Sequence, residues 1–130
     1  MNRRRGEEGL SSTALAVVMP VILVWIMLVV QYGLWAHARQ VAEAAADQGA
    51  GAGALPGADP TAAADAAVRS FLAGAGPLDD LAVAVEPGPD SLTVRVSGQA
   101  PRLVPGFAWD VQAVSQAPLE QYVPEERRPR

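Results

Sequence analysis

An uninterrupted apolar run near the N-terminus dominates the pattern of this chain. From Ala14 to Val30 every residue is apolar, and no Asp, Glu, Lys or Arg occurs between Gly9 and Ala38. About 20 such residues are enough for a helix to cross the hydrocarbon core of a bilayer. The pattern therefore predicts a transmembrane helix over residues 10–35.

From Ala36 onward strong helix-forming residues continue without a breaker until Gly49. We therefore expect the helix to extend beyond the bilayer as a stalk, with a glycine-rich connector, over residues 36–53. Small residues line this part, and two interpretations are open: they allow partner helices to approach closely, or they reflect helix propensity alone. The candidate helix-packing residues are Gly33, Ala38, Ala42 and Ala45.

The remaining chain predicts a small α+β domain over residues 54–123. Asp59 and Pro60 are typical of the start of a second helix, which Gly76 and the proline after it would close. The apolar period then changes to two, which predicts a β-hairpin with its turn at 87–90 and a third strand from Phe107 onward. One face of this sheet would be covered by the second helix. The tail 124–130 is charged and contains proline, so we expect it to be disordered.

Basic residues predict the orientation of the span. Three arginines stand in the leader 1–9, whereas only Arg39 lies close after the span. The positive-inside rule then keeps the N-terminus in the cytoplasm and places the C-terminal domain outside, with a single pass. A cleaved signal peptide is the alternative, because Ala36 and Ala38 match the small-x-small pattern before a cleavage site. The apolar run is longer than a secretory segment usually is, which favours a retained anchor.

Composition restricts the chemistry that this chain can perform. The formal net charge is −4, with no lysine and no cysteine, so a phosphate-binding surface and thiolate chemistry are both disfavoured. The only histidine is His37, next to the apolar run, and Asp79, Asp80 and Glu86 flank the first strand, where carboxylates are usually solvated. We expect no enzyme activity, no cofactor, no metal site and no small-molecule substrate or nucleic-acid partner.

A family resemblance covers the segment from Gly9 to Gly53. Its marks are a glycine after a charged leader, a Ser/Thr/Ala patch before the apolar run, Pro20 within that run, and VVQYGLWAHARQVAEAAADQGAGAGA after it. The closing segment DVQAVSQAPLEQY adds to the likeness. The chain thus resembles the TadE/TadG family of tight-adherence pilus proteins, or pseudopilins, in the form seen in actinobacteria.

The resemblance implies a pilin-like α+β fold and a small membrane-anchored subunit that helps assemble a thin adhesive pilus. It also implies partners in the membrane: other pilin-like or pilus-assembly proteins, and a prepilin peptidase that would cut after Gly9. In the family a glutamate stands five residues after the cut, but this chain has Ala14 there. This departure favours an uncleaved accessory role over incorporation into the filament shaft.

Three functional hypotheses follow for this chain. The first is an accessory or minor pilus subunit whose long helix packs against partner helices. The alternative is a membrane-tethered extracytoplasmic binding module unrelated to pili, in which the helix is only an anchor. The third is a secreted domain that is released after Ala38.

Overall fold

A computed structural model describes residues 4–57, 59–76 and 78–119, with side chains from residue 11 onward. The predicted tail 124–130 lies outside the described residues. Two helices precede a three-stranded antiparallel sheet, so the predicted α+β class is confirmed. The elements are α1 (Arg4–Gly53), α2 (Pro60–Ala75), β1 (Asp79–Pro87), β2 (Ser91–Gln99) and β3 (Asp110–Pro118).

Helix α1 is longer than predicted at both ends. It contains 50 residues, or about 75 Å at the α-helical rise, and it runs through Pro20 without interruption. It begins at Arg4, before the predicted start at residue 10, and it ends at Gly53, beyond Gly49. The glycines at the C-terminal end of α1 have low helix propensity, but they lie where α1 packs on the rest of the fold.

Close packing explains why the glycine-rich segment stays helical. A Cβ atom placed on Gly49 would lie 2.6 Å from Cγ2 of Val68, and one on Gly53 would lie 2.8 Å from the carbonyl oxygen of Pro60. The two glycines are one turn apart, so both face α2. The predicted glycine-rich connector is therefore helical as far as Gly53, because packing outweighs the low helix propensity of glycine.

Helix α2 has the predicted start and apolar face. The carboxylate of Asp59 accepts a hydrogen bond from the backbone N–H of Thr61 at 3.1 Å, and Pro60 occupies the first turn. At the other end, the N–H of Gly76 bonds to the carbonyl of Leu72 at 3.1 Å. Ala64, Val68 and Leu72 are buried, as the stripe at three- and four-residue spacings predicts.

The sheet has the order β1-β2-β3 and one of its two faces is buried. Val94 and Val96 in the central strand are fully buried and pair with Val85 and Val83 of β1. Both helices cover this face, whereas only the second was predicted to do so: α2 packs on β1, and the stalk part of α1 packs on β2 and β3. The stalk therefore belongs to the same core as the domain.

The third strand begins three residues later than predicted, at Asp110 instead of Phe107. The segment between β2 and β3, residues 100–109, bends towards α1 and is called the hydrophobic link below. Its tip is a turn in which the N–H of Phe107 bonds to the carbonyl of Val104 at 3.4 Å. Pro105 and Gly106, with φ of 90°, occupy the positions that a type II turn prefers for these residue types.

Candidate functional site

The apolar half of α1 is exposed along its whole length. Every side chain from residue 11 to residue 30 is exposed, and none of the most apolar 18-residue window is buried in the fold. Trp25 is 66% exposed and Val29 is 65% exposed. A surface of this kind is not stable in water, and its length and composition are sufficient to cross a membrane. This helix therefore fits a single-pass membrane anchor.

Gln31 marks the end of this exposed segment and joins it to the domain. Only 1% of this residue is exposed. Among the residues that the structure describes, it is the only polar or charged one that is buried. Its side-chain amide donates to the carbonyl of Pro101 at 3.3 Å, and its Oε1 accepts from the N–H of Leu103 at 3.0 Å. Both contacts connect residues some seventy positions apart. Gln31 therefore fixes the hydrophobic link against α1.

An aromatic cluster lies next to Gln31 on α1. The indole N–H of Trp35 donates to the carbonyl of Asp110 at 3.2 Å, and its ring meets that of Trp109 edge-on at 6.2 Å. Tyr32 and the guanidinium of Arg39 lie within 6 Å of the Trp35 ring centre, at 5.8 Å and 5.9 Å. Amphipathic aromatic rings of this kind are typical of the membrane–water interface.

Two apolar surfaces flank α1 in the predicted span. The first is a cavity of about 330 Å³ between the helix and the hydrophobic link, lined by Val24, Met27, Leu28, Gln31, Val104, Phe107 and Trp109. The second is a shallow groove of about 290 Å³ on the opposite side, lined by Ile22, Trp25, Ile26, Val29 and Val30, and we call it the open face. Within each surface, the spacing of the lining residues places them on one side of the helix. The two sets lie on opposite sides of the helix axis, so the two surfaces face in opposite directions.

The predicted helix-packing residues separate into two groups. Ala38, Ala42 and Ala45 are buried and belong to the core that α1 forms with α2 and the sheet. Their packing partners therefore include elements of the same chain. Gly33 is exposed, and a Cβ atom placed on it would meet nothing within 4 Å. It follows Val29 by one helical turn, which places it at the end of the open face.

The signal-peptide alternative meets a structural obstacle at its proposed cleavage position. The bond after Ala38 lies in the middle of α1, and Ala38 is only 4% exposed. Cleavage there would also remove Gln31 and Trp35, which hold the hydrophobic link and β3 by hydrogen bonds. The predicted peptidase position after Gly9 lies in the first part of α1, and its processing stays a prediction.

The ionisable residues are dispersed over the surface. His37 is exposed beside a small apolar recess, and Asp79, Asp80 and Glu86 are exposed on β1. Among the residues that the structure describes, no three His, Cys, Asp or Glu side chains are grouped so as to hold a metal. Two exposed ion pairs follow helix spacing, and in one of them Asp65, through its hydrogen bond and its charge, raises the pKa of Arg69. These pairs contribute little to stability.

Sequence reasoning did not identify the Gln31 contact or the role of the hydrophobic link. Two signals were present in the pattern: Gln31 is the first strongly polar residue after the apolar run, and PRLVPGFAW carries large apolar residues beside two prolines. Neither feature alone names its partner, because the contact joins positions far apart in the chain.

The junction segment of this chain is similar to a known protein family. The model of the TadE-like protein family matches residues 9–51, which cover the exposed half of α1, the Gln31 junction and most of the stalk. This match confirms the resemblance over that segment. No curated protein and no solved structure matches the chain significantly.

Proposed function

We propose that this chain, whose residues 9–51 match the TadE-like family, is a membrane-anchored, pseudopilin-like accessory subunit of a tight-adherence pilus assembly or related secretion system. Its role is structural and not enzymatic. One observation carries the proposal: the matched segment forms a single continuous helix. The apolar half of this helix is exposed, and its other half packs into the domain. Such a helix transmits the position of a membrane partner directly to the domain.

The proposed topology places the N-terminus in the cytoplasm and the α+β domain outside, since the arginines precede the span. The division into leader, span, stalk and domain near residues 9, 35 and 53 belongs to the same proposal. Leu55 is 63% exposed and the chain has no cysteine, so a Leu55→Cys variant gives a single reactive thiol in the domain. A membrane-impermeant maleimide should label this thiol in intact cells, and labelling only after lysis would contradict the orientation.

The partner helix, in this proposal, packs on the open face. Ala38, Ala42 and Ala45 are occupied within the chain, whereas Ile26, Val29 and Gly33 are exposed on one side of α1. The bare backbone at Gly33 lets a second helix approach closely, which is how helices associate in lipid. The partners are other pilin-like or pilus-assembly membrane proteins, and a prepilin peptidase is a partner only if Gly9 is processed.

A pair of glycine substitutions tests this face without disturbing the fold. In Gly33→Leu the new side chain projects into the proposed interface, while Gly51→Leu places the same side chain on another exposed helical position with open space around it. We expect Gly33→Leu to reduce co-isolation with pilus-assembly membrane proteins and to reduce the number of pili seen by electron microscopy. Gly51→Leu should leave both unchanged.

The result also separates the subunit from the tethered binding module. If Gly33→Leu and a variant with Trp25, Ile26 and Val29 replaced by leucine both assemble normal pili, the helix is only an anchor. That outcome would overturn the proposed packing role while leaving the membrane span intact.

A further inference from the structure

The hydrophobic link presents large apolar side chains beside the predicted span. Leu103 is 48% exposed and Phe107 is 59% exposed, although they belong to a segment that folds back onto α1. Val104, Phe107 and Trp109 form one wall of the 330 Å³ cavity, and Val24, Met27 and Leu28 form the other. The apolar surface of the domain is thus continuous with the apolar surface of the helix.

The depth of the link follows from the helix residues that it faces. Val24 precedes Gln31 by seven residues, or about 10 Å along the helix axis. The hydrocarbon core needs about 20 apolar residues, and the apolar run that could supply them ends at Val30. Val24 and Met27 therefore lie inside the hydrocarbon when α1 spans the membrane, and the link side chains opposite them lie at a similar depth.

Part of the backbone of the link is already satisfied within the protein. Pro101 and Pro105 carry no N–H group, so the link has fewer donors to satisfy. Gln31 pairs with the carbonyl of Pro101 and the N–H of Leu103, and the turn at the tip pairs the N–H of Phe107 internally. Pairing these groups within the protein lowers the cost of bringing the link close to the hydrocarbon, where an unpaired backbone group is expensive.

We propose that the hydrophobic link is a membrane-inserted loop, with lipid acyl chains of the leaflet nearest the domain filling the cavity and covering Leu103 and Phe107. Arg102, which is exposed in the same segment, lies near the level of the lipid phosphates. The inference rests on the proposed span of α1. It makes the domain dock on the bilayer at a second point, which fixes its tilt and rotation relative to the membrane.

Lipid is the occupant that the geometry favours over a partner protein. The cavity lining is apolar except at Gln31, whose amide is already paired with the link. The cavity also opens at a depth where acyl chains surround the helix on every side that protein does not cover. A partner helix has its own surface on the open face, on the opposite side of α1.

The absence of cysteine allows a direct measurement of depth. The full chain, carrying a single spin label at Phe107→Cys or Leu103→Cys, is reconstituted in phosphatidylcholine–phosphatidylglycerol vesicles. Collision with oxygen, which concentrates in the hydrocarbon, is compared with collision with a water-soluble nickel chelate. Val29→Cys, in the span and 65% exposed, is the lipid reference, and Val114→Cys, on the outer face of β3 and 53% exposed, is the water reference.

We expect labels at positions 103 and 107 to favour oxygen over nickel, as at position 29, and the label at position 114 to show the reverse ratio. A nickel accessibility at position 107 equal to that at position 114 would overturn the inference. Exclusion of both reagents at position 107 would also overturn it, since protein and not lipid would then cover the link. High nickel accessibility at position 29 would instead refute the span itself, and with it the proposed anchor.

Discussion

The two halves of α1 have opposite relations between side-chain size and burial. In the N-terminal half, large residues such as Ile22, Leu23 and Trp25 are 46–66% exposed. In the C-terminal half, small residues such as Ala42 and Ala45 are fully buried. A water-soluble protein would bury the first set, so the first half is suited to lipid and the second to close contact with protein.

The comparison shows how one helix can be suited to lipid along one half and to close packing against protein along the other. Large side chains give the membrane half the apolar surface that holds it in lipid. Small side chains in the stalk let α2 and the sheet approach the helix axis, where Gly49 and Gly53 leave no room for a methyl group. Substitutions of the same type in the two halves should therefore have very different effects on the stability of the domain.

A pair of leucine truncations tests this contrast most strongly. Leu92 in β2 is fully buried against the stalk, so Leu92→Ala leaves a cavity and should lower the free energy of unfolding by about 2–5 kcal/mol. Leu23→Ala, at a position that is 57% exposed in the membrane half, should leave the unfolding of the domain unchanged. Denaturant unfolding of the full chain in detergent, followed by circular dichroism, measures both, and equal effects would refute the division of the helix.

Two glycines of the stalk provide a second test, because replacing them with alanine should change the stability of the domain in opposite directions. Gly49→Ala forces a methyl group to within 2.6 Å of Val68, which should cost about 1–3 kcal/mol. Gly51→Ala, two residues along the same helix, meets nothing within 4 Å and should stabilise the domain by about 0.5–1 kcal/mol through helix propensity alone. A stabilising effect of Gly49→Ala would show that the stalk packs less closely than the structure indicates. The same unfolding measurement applies.

Local patterns were sufficient to predict the elements of this fold. The apolar run, the Asp59-Pro60 start of α2 and the alternation in β1 and β2 each depend on neighbouring residues, and the structure contains all four corresponding elements. The predicted end of α1 was wrong, because the helical state of Gly49 and Gly53 depends on contacts with α2 and β2, which are distant in the chain. Propensity cannot report a contact that only the assembled core creates.

The site was less accessible to sequence reasoning for the same reason. The exposed span was evident from composition, and Gly33 was selected for its size. The contact of Gln31 with Pro101 and Leu103 joins two segments whose patterns carry no common period. The alternation through Phe107 and Trp109 predicts the start of a strand, whereas in the structure these residues line the cavity beside α1.

Gln31 is the boundary between the two halves, and removing its amide should weaken that boundary. Gln31→Leu leaves the carbonyl of Pro101 and the N–H of Leu103 without their partner, which should cost about 1–3 kcal/mol. Gln40→Leu makes the same change at an exposed position of the same helix and should have little effect. Thermal unfolding in detergent compares the two variants. An equal stability of both would mean that the link is held by its apolar contacts alone.

Trp35 lies one turn beyond Gln31, and its substitution should have the smallest effect of those that remove a contact of the core or of the link. Trp35→Phe removes the hydrogen bond to the carbonyl of Asp110 but retains an aromatic ring beside Trp109, so we expect a loss of about 0.5–1.5 kcal/mol. Trp25→Phe, in the membrane half, should not change the unfolding of the domain, because Trp25 is 66% exposed. If Trp35→Phe were as harmful as Leu92→Ala, the aromatic cluster would belong to the core. A small loss would place Trp35 at the interface, where one side of the ring meets protein and the other meets the lipid headgroups.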